Sequence, residues 1–279
     1  MSVSAQRVAN DEHPSSPAAT DVVVSVRAAG KVFANGTRAL APIDLTVRNG
    51  EFLSLIGPSG CGKSTLLKLI ANFYETTSGS LSWWQGDFSK VGQTGRRLAF
   101  VFQEPTLMPW ARVAANVRLA LDLEKQDGED PAHKVAAALE QVGLADFADS
   151  YPRQLSGGMK MRVSIARALI DRPDLLLMDE PFGALDEFTR NRLDLDLVQL
   201  AWQRRLTTLF VTHSIYEAVF LSTRIVVMAA KPGRIFGELV VDEPQPREDG
   251  FRNSLRFVRT CQELSTMLAE ASRQTTPGA

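Results

Sequence analysis

Gly57-Pro58-Ser59-Gly60-Cys61-Gly62-Lys63-Ser64-Thr65 is the stretch of this chain that decides the fold. It fits the pattern G-x-x-x-x-G-K-[ST], the loop that wraps the phosphates of a nucleotide. A strand-like apolar run at residues 52–56 precedes it, and a helix-like run at residues 66–70 follows it. This strand–loop–helix context is the setting that the motif requires. The sequence therefore predicts a site for a nucleoside triphosphate.

The residue types in this loop suit the binding of phosphate groups. Its glycines let backbone N–H groups turn inward around phosphate oxygens, and the N-terminus of the following helix adds a favourable dipole. We expect Lys63 to reach the β- and γ-phosphates and the Ser64 hydroxyl to take one coordination position on Mg²⁺. All nine residues of the stretch are predicted to bind the nucleotide.

Composition limits the other classes of function. A chain of 279 residues with a net charge of −1 lacks the basic excess that usually accompanies nucleic-acid binding. No apolar run approaches the length of about eighteen residues that a membrane span needs. Residues 1–21 are rich in Ser, Ala and Pro and have no apolar core, which predicts a disordered leader rather than a signal peptide. Cys61 and Cys261 have no spacing typical of a disulfide framework or a zinc site.

Short apolar runs elsewhere in the chain predict an α/β fold with a mixed or parallel core sheet. Runs bounded by polar residues are typical of buried parallel strands, and ligands bind at the C-terminal ends of such strands. Residues 22–26 and 43–47 are also strand-like, and Asn49-Gly50 is predicted to be a hairpin turn that leads into the phosphate-loop strand. The candidate core strands are residues 52–56, 98–102, 175–178 and 208–212.

A mostly helical pattern follows Gln103 and contains amphipathic candidates at residues 113–123 and 133–142. We expect a helical subdomain, about residues 104–165, to be inserted into the α/β core of a domain that spans residues 22–242.

The C-terminal segment, residues 243–279, is predicted to contain a linker and one helix. Residues 242–250 are rich in Pro and charged side chains, which favours a linker. Apolar residues then recur at roughly helical spacing, which predicts a helix packed on the core. Those residues are Leu255, Val258, Leu264 and Leu268.

Two carboxylates end one of the candidate core strands. The apolar run Leu175-Leu176-Leu177-Met178 leads directly into Asp179 and Glu180. Asp179 suits the coordination of Mg²⁺. Glu180, one residue further, is the candidate general base that orients and deprotonates the attacking water, a role typically worth about 10²–10⁴ in rate.

A second phosphate-facing segment is predicted at Leu155-Ser156-Gly157-Gly158-Met159, before a helical run at residues 160–170. A serine and two glycines at a helix start offer free N–H groups, a hydroxyl and room for close approach, although the same residues also make an ordinary helix cap. A chain with one phosphate loop seldom needs a second such helix start. One explanation is that it serves the nucleotide of another copy of the protein.

These motifs together resemble those of the ATP-binding cassette (ABC) ATPases. The resemblance runs from about Val22 to Val241, and the motifs occur in the order and rough spacing of that family. It implies a P-loop NTPase cassette with a mixed or parallel core sheet, an N-terminal antiparallel β-subdomain and an inserted helical subdomain. It also implies that two cassettes pair head to tail as a homodimer. Each of two ATP molecules then lies between the phosphate loop of one copy and Ser156, Gly157 and Gly158 of the other.

The resemblance also assigns roles to residues outside these segments. Gln103 resembles the glutamine that touches Mg²⁺ and reports the nucleotide state to the membrane partner. Asp186, in Ala184-Leu185-Asp186, resembles the aspartate of the loop that crosses the dimer interface, which implies that it faces the nucleotide of the other copy. His213 resembles the switch histidine that contacts the γ-phosphate. Phe33 lies where the family places an aromatic residue that stacks on adenine, although a plain core role for this ring is an alternative.

A finer resemblance favours import. Residues 107–117, Met159 and residues 212–218 are similar to those of nitrate/sulfonate/taurine-type importer ATPases. This implies a peripheral protein at the cytoplasmic face of the cell membrane, bound to permease subunits and served indirectly by a periplasmic or lipid-anchored solute-binding protein. Trp110 would contact the permease, with internal packing as the alternative. An ABC exporter or lipid-translocating ATPase, and a soluble ABC ATPase without a transport role, are the other classes considered.

Overall fold

The computed structural model of the protein describes residues 22–84, 86, 96–123 and 130–273. The predicted leader, residues 1–21, lies outside the described residues. In the described part of the chain the strands are β1 (Val22–Val32), β2 (Arg38–Arg48), β3 (Phe52–Ile56), β4 (Ser78–Trp83), β5 (Leu98–Val101), β6 (Leu175–Asp179), β7 (Thr207–Val211), β8 (Arg224–Ala229) and β9 (Arg234–Val240). The α-helices are α1 (Lys63–Ile70), α2 (Val113–Leu123), α3 (Pro131–Gln141), α4 (Gly157–Leu169), α5 (Glu187–Arg204), α6 (Ile215–Leu221) and α7 (Leu255–Arg273).

The strands form two sheets. The first contains three antiparallel strands in the order β2-β1-β4, and the second contains six strands in the order β5-β6-β7-β3-β8-β9. In the larger sheet the neighbours from β5 through to β8 are parallel, and β9 pairs with β8 in the antiparallel direction. The predicted mixed core sheet and N-terminal antiparallel sheet are therefore confirmed.

The predicted hairpin turn at Asn49-Gly50 is wrong. β2 ends at Arg48 in the three-stranded sheet, whereas β3 begins at Phe52 in the six-stranded sheet, so the strands on either side of the turn do not pair. Gly50 has a φ of +69°, and its backbone N–H donates to Thr207 Oγ1 at 3.0 Å. The turn thus carries the chain from one sheet to the other and is held by the start of β7.

The central strands of the larger sheet are buried on both faces, as continuous apolar strands require. Along β6, Leu175 and Leu177 pack with β1, β2 and α1, whereas Leu176 and Met178 pack with residues of α4 to α7. The alternation follows from the two-residue period of a strand. Every residue of β3, β6 and β7 is buried, so these three strands hold the polar residues that follow them in fixed positions.

The helices α2, α3 and α4 pack around their own apolar cluster, which includes Val117, Leu139 and Val163. The predicted helices at residues 113–123 and 133–142 are confirmed, the second as Pro131–Gln141. Another face of α4, with Met161 among its residues, packs with the cluster on the larger sheet. α4 therefore connects the helical region to the sheet that carries the phosphate loop.

The C-terminal helix α7 forms as predicted, but its buried face differs from the predicted one. Leu255 and Val258 are exposed, whereas Leu264 is buried and Leu268 packs partly against the core. The buried face of the helix consists of Phe257, Cys261, Leu264 and Ala271. These positions are spaced by three, four and seven residues, and Leu255 and Val258 fall outside that stripe.

The segment before α7 is bound to the core, although its composition favoured a linker. Arg247 is 2% exposed, and its Nη1 atom donates to the carbonyls of Val219 at 2.8 Å and Phe220 at 2.7 Å. Arg252 Nη2 forms an ion pair of 2.8 Å with Asp194, which is fully buried in α5. Buried guanidinium groups with such partners anchor this part of the chain to α5 and α6.

The ion pair between Arg252 and Asp194 predicts a pH-dependent loss of stability when the arginine is removed. Burial, with a smaller effect of Glu217, raises the pKa of Asp194 to about 7 even though Arg252 acts in the opposite direction. Without Arg252 the folded pKa rises further above the unfolded value of about 4. Between these two pKa values Asp194 is ionised in the unfolded chain and still protonated in the folded one. The free energy of unfolding therefore falls as the pH rises through this range.

We therefore expect Arg252→Leu to lower the free energy of unfolding by about 3 kcal/mol at pH 8 and by less at pH 5. Urea unfolding at both pH values measures this difference. Arg256→Leu is the matched control, because Arg256 pairs at 2.7 Å with an Asp242 side chain that is 95% exposed, and such a pair contributes about 1 kcal/mol or less. Equal losses for Arg252→Leu at the two pH values would contradict the prediction.

Candidate nucleotide site

The phosphate loop connects β3 to α1 and has a backbone that requires glycine at its end. Gly62 has a φ of +91°, and a Cβ atom there would lie 2.4 Å from Leu40 Cδ2. Gly60, with a φ of +77°, has open space around it. The loop therefore turns tightly against β2, and the carbonyl of Gly62 accepts from Leu66 N at 2.8 Å as α1 begins.

The side chain of Lys63 lies over this loop. It is 6% exposed, and its Nζ donates to the carbonyl of Gly57 at 2.8 Å. Cys61 Sγ is 3.9 Å from the same Nζ atom. Burial raises the pKa of the Cys61 thiol, which favours the neutral, less reactive form. Lys63 is thus the cation of the loop, and Cys61 is a buried packing residue.

The end of the loop contacts the end of β6. Ser64 Oγ donates to Asp179 Oδ1 at 2.7 Å. Desolvation raises the pKa of Asp179, although the hydrogen bond from Ser64 opposes that effect. The structure therefore brings together the hydroxyl and the carboxylate that sequence reasoning assigned to one ion.

Glu180 and His213 lie beside this pair, after β6 and β7. Glu180 Oε2 is 3.4 Å from His213 Nδ1, and both side chains reach solvent. Glu180 has a φ of +47°, in the left-handed region that few residues other than glycine adopt. Its backbone N–H donates to the carbonyl of Val211 at 3.0 Å, which fixes this conformation against β7. Backbone strain of this kind is typical of functional sites, and Glu180 lines one cavity together with residues of the phosphate loop.

A cavity of about 400 Å³ opens over the phosphate loop. Its walls include two segments that sequence reasoning missed, one at the start of β2 and one between β8 and β9. The lining residues from these segments are Thr37, Arg38, Ala39, Lys231 and Gly233, and those predicted from sequence include Ser59, Gly60, Gly62, Lys63, Ser64, Thr65 and Glu180. No short motif distinguishes Arg38 or Lys231, because both reach the cavity through contacts between distant strands.

Gly233 is the residue that joins these distant strands to the loop. Its N–H donates to the carbonyl of Ala39 at 3.0 Å, and its carbonyl accepts from Ala41 N at 2.8 Å. A Cβ atom at this position would lie 2.2 Å from the carbonyl oxygen of Cys61. The close approach of three backbones therefore requires glycine here.

Phe33 lies on a turn next to the cavity and is half-buried rather than in the core. Its ring meets the ring of Tyr74 edge-on, with centroids 5.6 Å apart, and Lys31 Nζ is 5.6 Å from each centroid. Phe33 N donates to the carbonyl of Thr37 at 2.9 Å. The turn thus connects Phe33 to Thr37, which lines the cavity, although Phe33 itself is not a lining residue.

Ser156 and Asp186 cap two helices that start side by side. Ser156 Oγ accepts from Met159 N at 3.3 Å at the start of α4, and Asp186 Oδ1 accepts from Thr189 N at 2.9 Å at the start of α5. A Cβ atom at Gly158 would lie 2.8 Å from Thr189 Cγ2, so the two helix starts are in contact. Ser156, Gly157 and Asp186 are exposed, and none of these described residues lines the cavity of the same chain.

Gln103 and Trp110 lie beyond β5, on the side of the helical region. Gln103 is exposed two residues after β5 ends, and Trp110 is 76% exposed. The fully buried Asn116 holds the turn that carries Trp110, since its Nδ2 donates to the carbonyls of Met108 and Ala111 at 3.2 and 3.1 Å. The alternative of internal packing for Trp110 is therefore wrong.

Comparison with known proteins identifies the family. The ABC transporter family matches residues 40–183. An aliphatic sulfonates import ATP-binding protein of Pseudomonas syringae pv. syringae is 45% identical over 226 residues, which cover 81% of this chain and 89% of that protein. The protein of the same name from Bacillus licheniformis is 44% identical, over a match that covers 80% of this chain and 87% of that protein.

Solved structures agree with this result. The dimeric structure of a bacterial ABC transporter cassette superposes with a TM-score of 0.71 at 29% identity, covering 79% of this chain and all of that one. A post-hydrolysis state of the cassette, bound to ADP and phosphate, superposes with a TM-score of 0.70 at 30% identity over the same shares. This chain belongs to the ABC transporter family and is one of its ATP-binding cassette ATPases. The predicted family, fold and ATPase activity are confirmed.

The contact at Gly233 predicts a specific effect on ATP binding. We expect Gly233→Ala to weaken ATP binding about tenfold or more, because a methyl group 2.2 Å from a backbone carbonyl must displace the loop that precedes Lys63. Gly250→Ala is the matched control, since a Cβ atom at Gly250 meets nothing within 4 Å. Calorimetric titration with ATP checks both variants. An unchanged ATP affinity for Gly233→Ala would contradict the role of this contact.

Proposed function

We propose that two copies of the chain form a homodimer that holds two ATP molecules, each between the phosphate loop of one copy and Ser156–Gly158 of the other. The observation that carries this proposal is the exposure of Ser156 and Asp186 at two adjacent helix starts outside the cavity of their own chain. Free N–H groups at a helix start attract anions. A two-fold arrangement lets the same surface serve both copies, and the dimeric structure of a relative supports it.

The cavity suits a nucleoside triphosphate. In this proposal residues 57–65 wrap the phosphates with backbone N–H groups, and Lys63 leaves the carbonyl of Gly57 to bind the β- and γ-phosphates. Phe33 stacks on adenine, a contact that needs an aromatic face and no hydroxyl. ATP therefore lies along the wall between β2 and the phosphate loop.

Ser64, Asp179 and Gln103 would hold Mg²⁺. The hydroxyl and the carboxylate are 2.7 Å apart and are the hard oxygen ligands that Mg²⁺ prefers. A divalent cation would also stabilise the charged form of the desolvated Asp179. The described residues contain no group of three or more His, Cys, Asp or Glu suited to a metal. When bound, the ion neutralises charge on the transferred phosphoryl group.

Glu180 is proposed as the general base. Its carboxylate lies at the cavity wall, 3.4 Å from His213 Nδ1, and can accept a proton from water in line with the γ-phosphate. His213, oriented by this contact, donates from its other nitrogen to the γ-phosphate. Lys63, His213 and the partner's Ser156 then stabilise the charge of the transition state.

The assignment of Glu180 predicts an ATP-bound dimer when the carboxylate is removed. Glu180→Gln should lower turnover at least about 10²-fold, because a neutral amide accepts no proton, while the ATP contacts persist. Phosphate release and analytical ultracentrifugation with ATP measure the two effects. Glu187→Gln, an exposed acid in the first turn of α5, is the control. Normal hydrolysis by Glu180→Gln would remove Glu180 from the role of base.

We propose further that ATP hydrolysis drives the import of a small solute through membrane permease subunits. The support is the name of the relatives that are 44–45% identical, which are aliphatic sulfonates import ATP-binding proteins. An alkanesulfonate is therefore the first solute to test, with the aminosulfonate taurine and nitrate next. A solute-binding protein outside the membrane would deliver it, and this chain would bind the cytoplasmic face of the permease.

The exposed Trp110 is proposed as a permease contact. A large aromatic side chain on a rigid turn suits the anchor of a protein interface, and the buried Asn116 makes the turn rigid. Gln103 lies between this turn and the nucleotide cavity along the chain. A change at the nucleotide would thus reach the permease through the segment 103–110.

This assignment predicts that Trp110→Ala loosens the permease without harming the ATPase itself. Co-purification of membrane subunits with the tagged chain should fall about tenfold, because an aromatic anchor that becomes buried in an interface is costly to lose. Hydrolysis by the isolated chain should stay unchanged. Trp202→Ala is the control, because Trp202 is an exposed tryptophan near the end of α5. Equal recovery of membrane subunits with both variants would refute the contact.

A further inference from the structure

Arg190, in the first turn of α5, contacts both the Asp186 loop and helix α6. Its Nη2 atom donates to the carbonyl of Leu185 at 2.8 Å, and its Nε atom is 3.2 Å from Glu217 Oε1. Leu185 directly precedes Asp186, and Glu217 lies in the first turn of α6, which follows the loop of His213. The guanidinium therefore joins the Asp186 loop to the structure that holds His213.

Glu217 continues this connection to the histidine loop. Its Oε2 atom accepts a hydrogen bond from the hydroxyl of Thr212. Thr212 Oγ1 in turn accepts from the backbone N–H of Ser214 at 2.9 Å, and Ser214 Oγ accepts from Glu217 N at 3.3 Å. His213 thus stands between two residues that are both fixed to Glu217. Burial raises the pKa of Glu217, whereas the contacts with Thr212 and Arg190 favour its charged form.

The second contact of Arg190, from Nη2 to the carbonyl of Leu185, holds the Asp186 loop. The carbonyl of Leu185 belongs to a tight turn in which Leu185 N donates to the carbonyl of Phe182 at 3.1 Å and Gly183 N donates to that of Glu180 at 3.2 Å. The Asp186 loop is therefore continuous with the strand end that carries Glu180. Arg190 lies outside the cavity and has no part in the phosphate contacts proposed above.

We infer that Arg190 is a positioning residue that couples the two ATP sites of the dimer. This inference rests on the proposed function, in which Asp186 faces the nucleotide of the partner and His213 faces that of its own chain. Because Arg190 and Glu217 bind both loops, a displacement of one loop displaces the other. ATP at one site then changes the geometry at the second site, and the coupling acts equally in both directions.

The two contacts need the fork of an arginine. The planar guanidinium donates from Nη2 to a carbonyl, while its Nε lies 3.2 Å from a carboxylate oxygen as an ion pair without a hydrogen bond. A lysine ammonium is a point charge on a flexible stem, and it keeps the charge without holding both loops in register. Arg190→Lys therefore separates the coupling role from a general need for positive charge beside the buried Glu217.

The test compares the full-length chain with Arg190→Gln, Arg190→Lys, Glu217→Gln and the double variant Arg190→Gln/Glu217→Gln. Steady-state hydrolysis over a range of ATP concentrations gives kcat and the Hill coefficient, and calorimetry in EDTA gives the affinity for ATP alone. Arg192→Gln is the matched control, an exposed arginine two residues along the same helix. Thermal unfolding shows that each variant compared is folded.

We expect the Hill coefficient to fall from near 2, the limit for two sites, to near 1 in the Arg190 and Glu217 variants. We also expect kcat to fall about ten- to a hundredfold, as it does when a catalytic group is misplaced by about 1 Å, with the ATP affinity unchanged within about twofold. The double variant should be no worse than the poorer single variant, because both break one connection. Arg192→Gln should match the wild type.

Two results would overturn this inference, and they differ in what else they affect. In the first, the wild type hydrolyses ATP cooperatively, and Arg190→Gln and Arg190→Lys are equally cooperative. This overturns the coupling role of Arg190 and leaves the proposed dimer intact. A wild type that hydrolyses ATP with a Hill coefficient of 1 and stays monomeric with ATP overturns the proposed two-copy function, and the inference with it.

Discussion

Parallel pairing among β6, β7 and β3 is the constraint on which the rest of this structure depends. The three strands run in one direction, are buried on both faces and end at the same edge of the sheet. The residue types that follow them are a phosphate loop, two carboxylates and a histidine. Because parallel strands deliver their C-terminal ends to one place, groups more than a hundred residues apart in sequence meet within hydrogen-bonding distance. The contact of 2.7 Å between Ser64 and Asp179 is the direct result.

Buried charge organises the side of the domain next to this edge. Asp194, Glu217, Arg190 and Arg252 lie where α5, α6 and the segment before α7 pack together. Removing charges from water is costly unless they are paired, so each group restricts where its partners can lie. The pair of Arg252 with Asp194 attaches the C-terminal segment to the core, and the neighbouring pair of Arg190 with Glu217 reaches the loops of Asp186 and His213. The charges that stabilise the C-terminal segment therefore lie next to those that hold the loops of the nucleotide site.

Local patterns were enough to predict the phosphate loop, the strands that surround it and the carboxylates at Asp179 and Glu180. Each of these depends on residues adjacent in sequence, with a period or a motif that one segment contains. The exposure of Trp110 was left open because nothing local reveals that Asn116 lies buried beneath the turn. Arg38, Lys231 and Gly233 were missed for a related reason, since their place at the cavity depends on contacts between distant strands.

Two further differences have physical causes of the same kind. Asn49-Gly50 has the sequence of a hairpin turn, but which sheet a strand joins is decided by its partners and not by the turn. In α7 the apolar residues Leu255 and Val258 suggested one face, whereas Phe257 and Cys261 belong to the face that meets α6 and β8. The helical period alone was compatible with either face being buried, and packing against the core determines which one is.

The central claim is that each ATP is held between two copies of this chain, and cross-linking tests it most directly. Ser59→Cys in one tagged copy and Ser156→Cys in a differently tagged copy place thiols at two exposed positions, while the native Cys61 and Cys261 are buried. With a short bifunctional reagent, mass spectrometry should find a link between residues 59 and 156 of different copies that forms with ATP and is lost with ADP. A link within single copies, or no link that depends on ATP, would contradict the account.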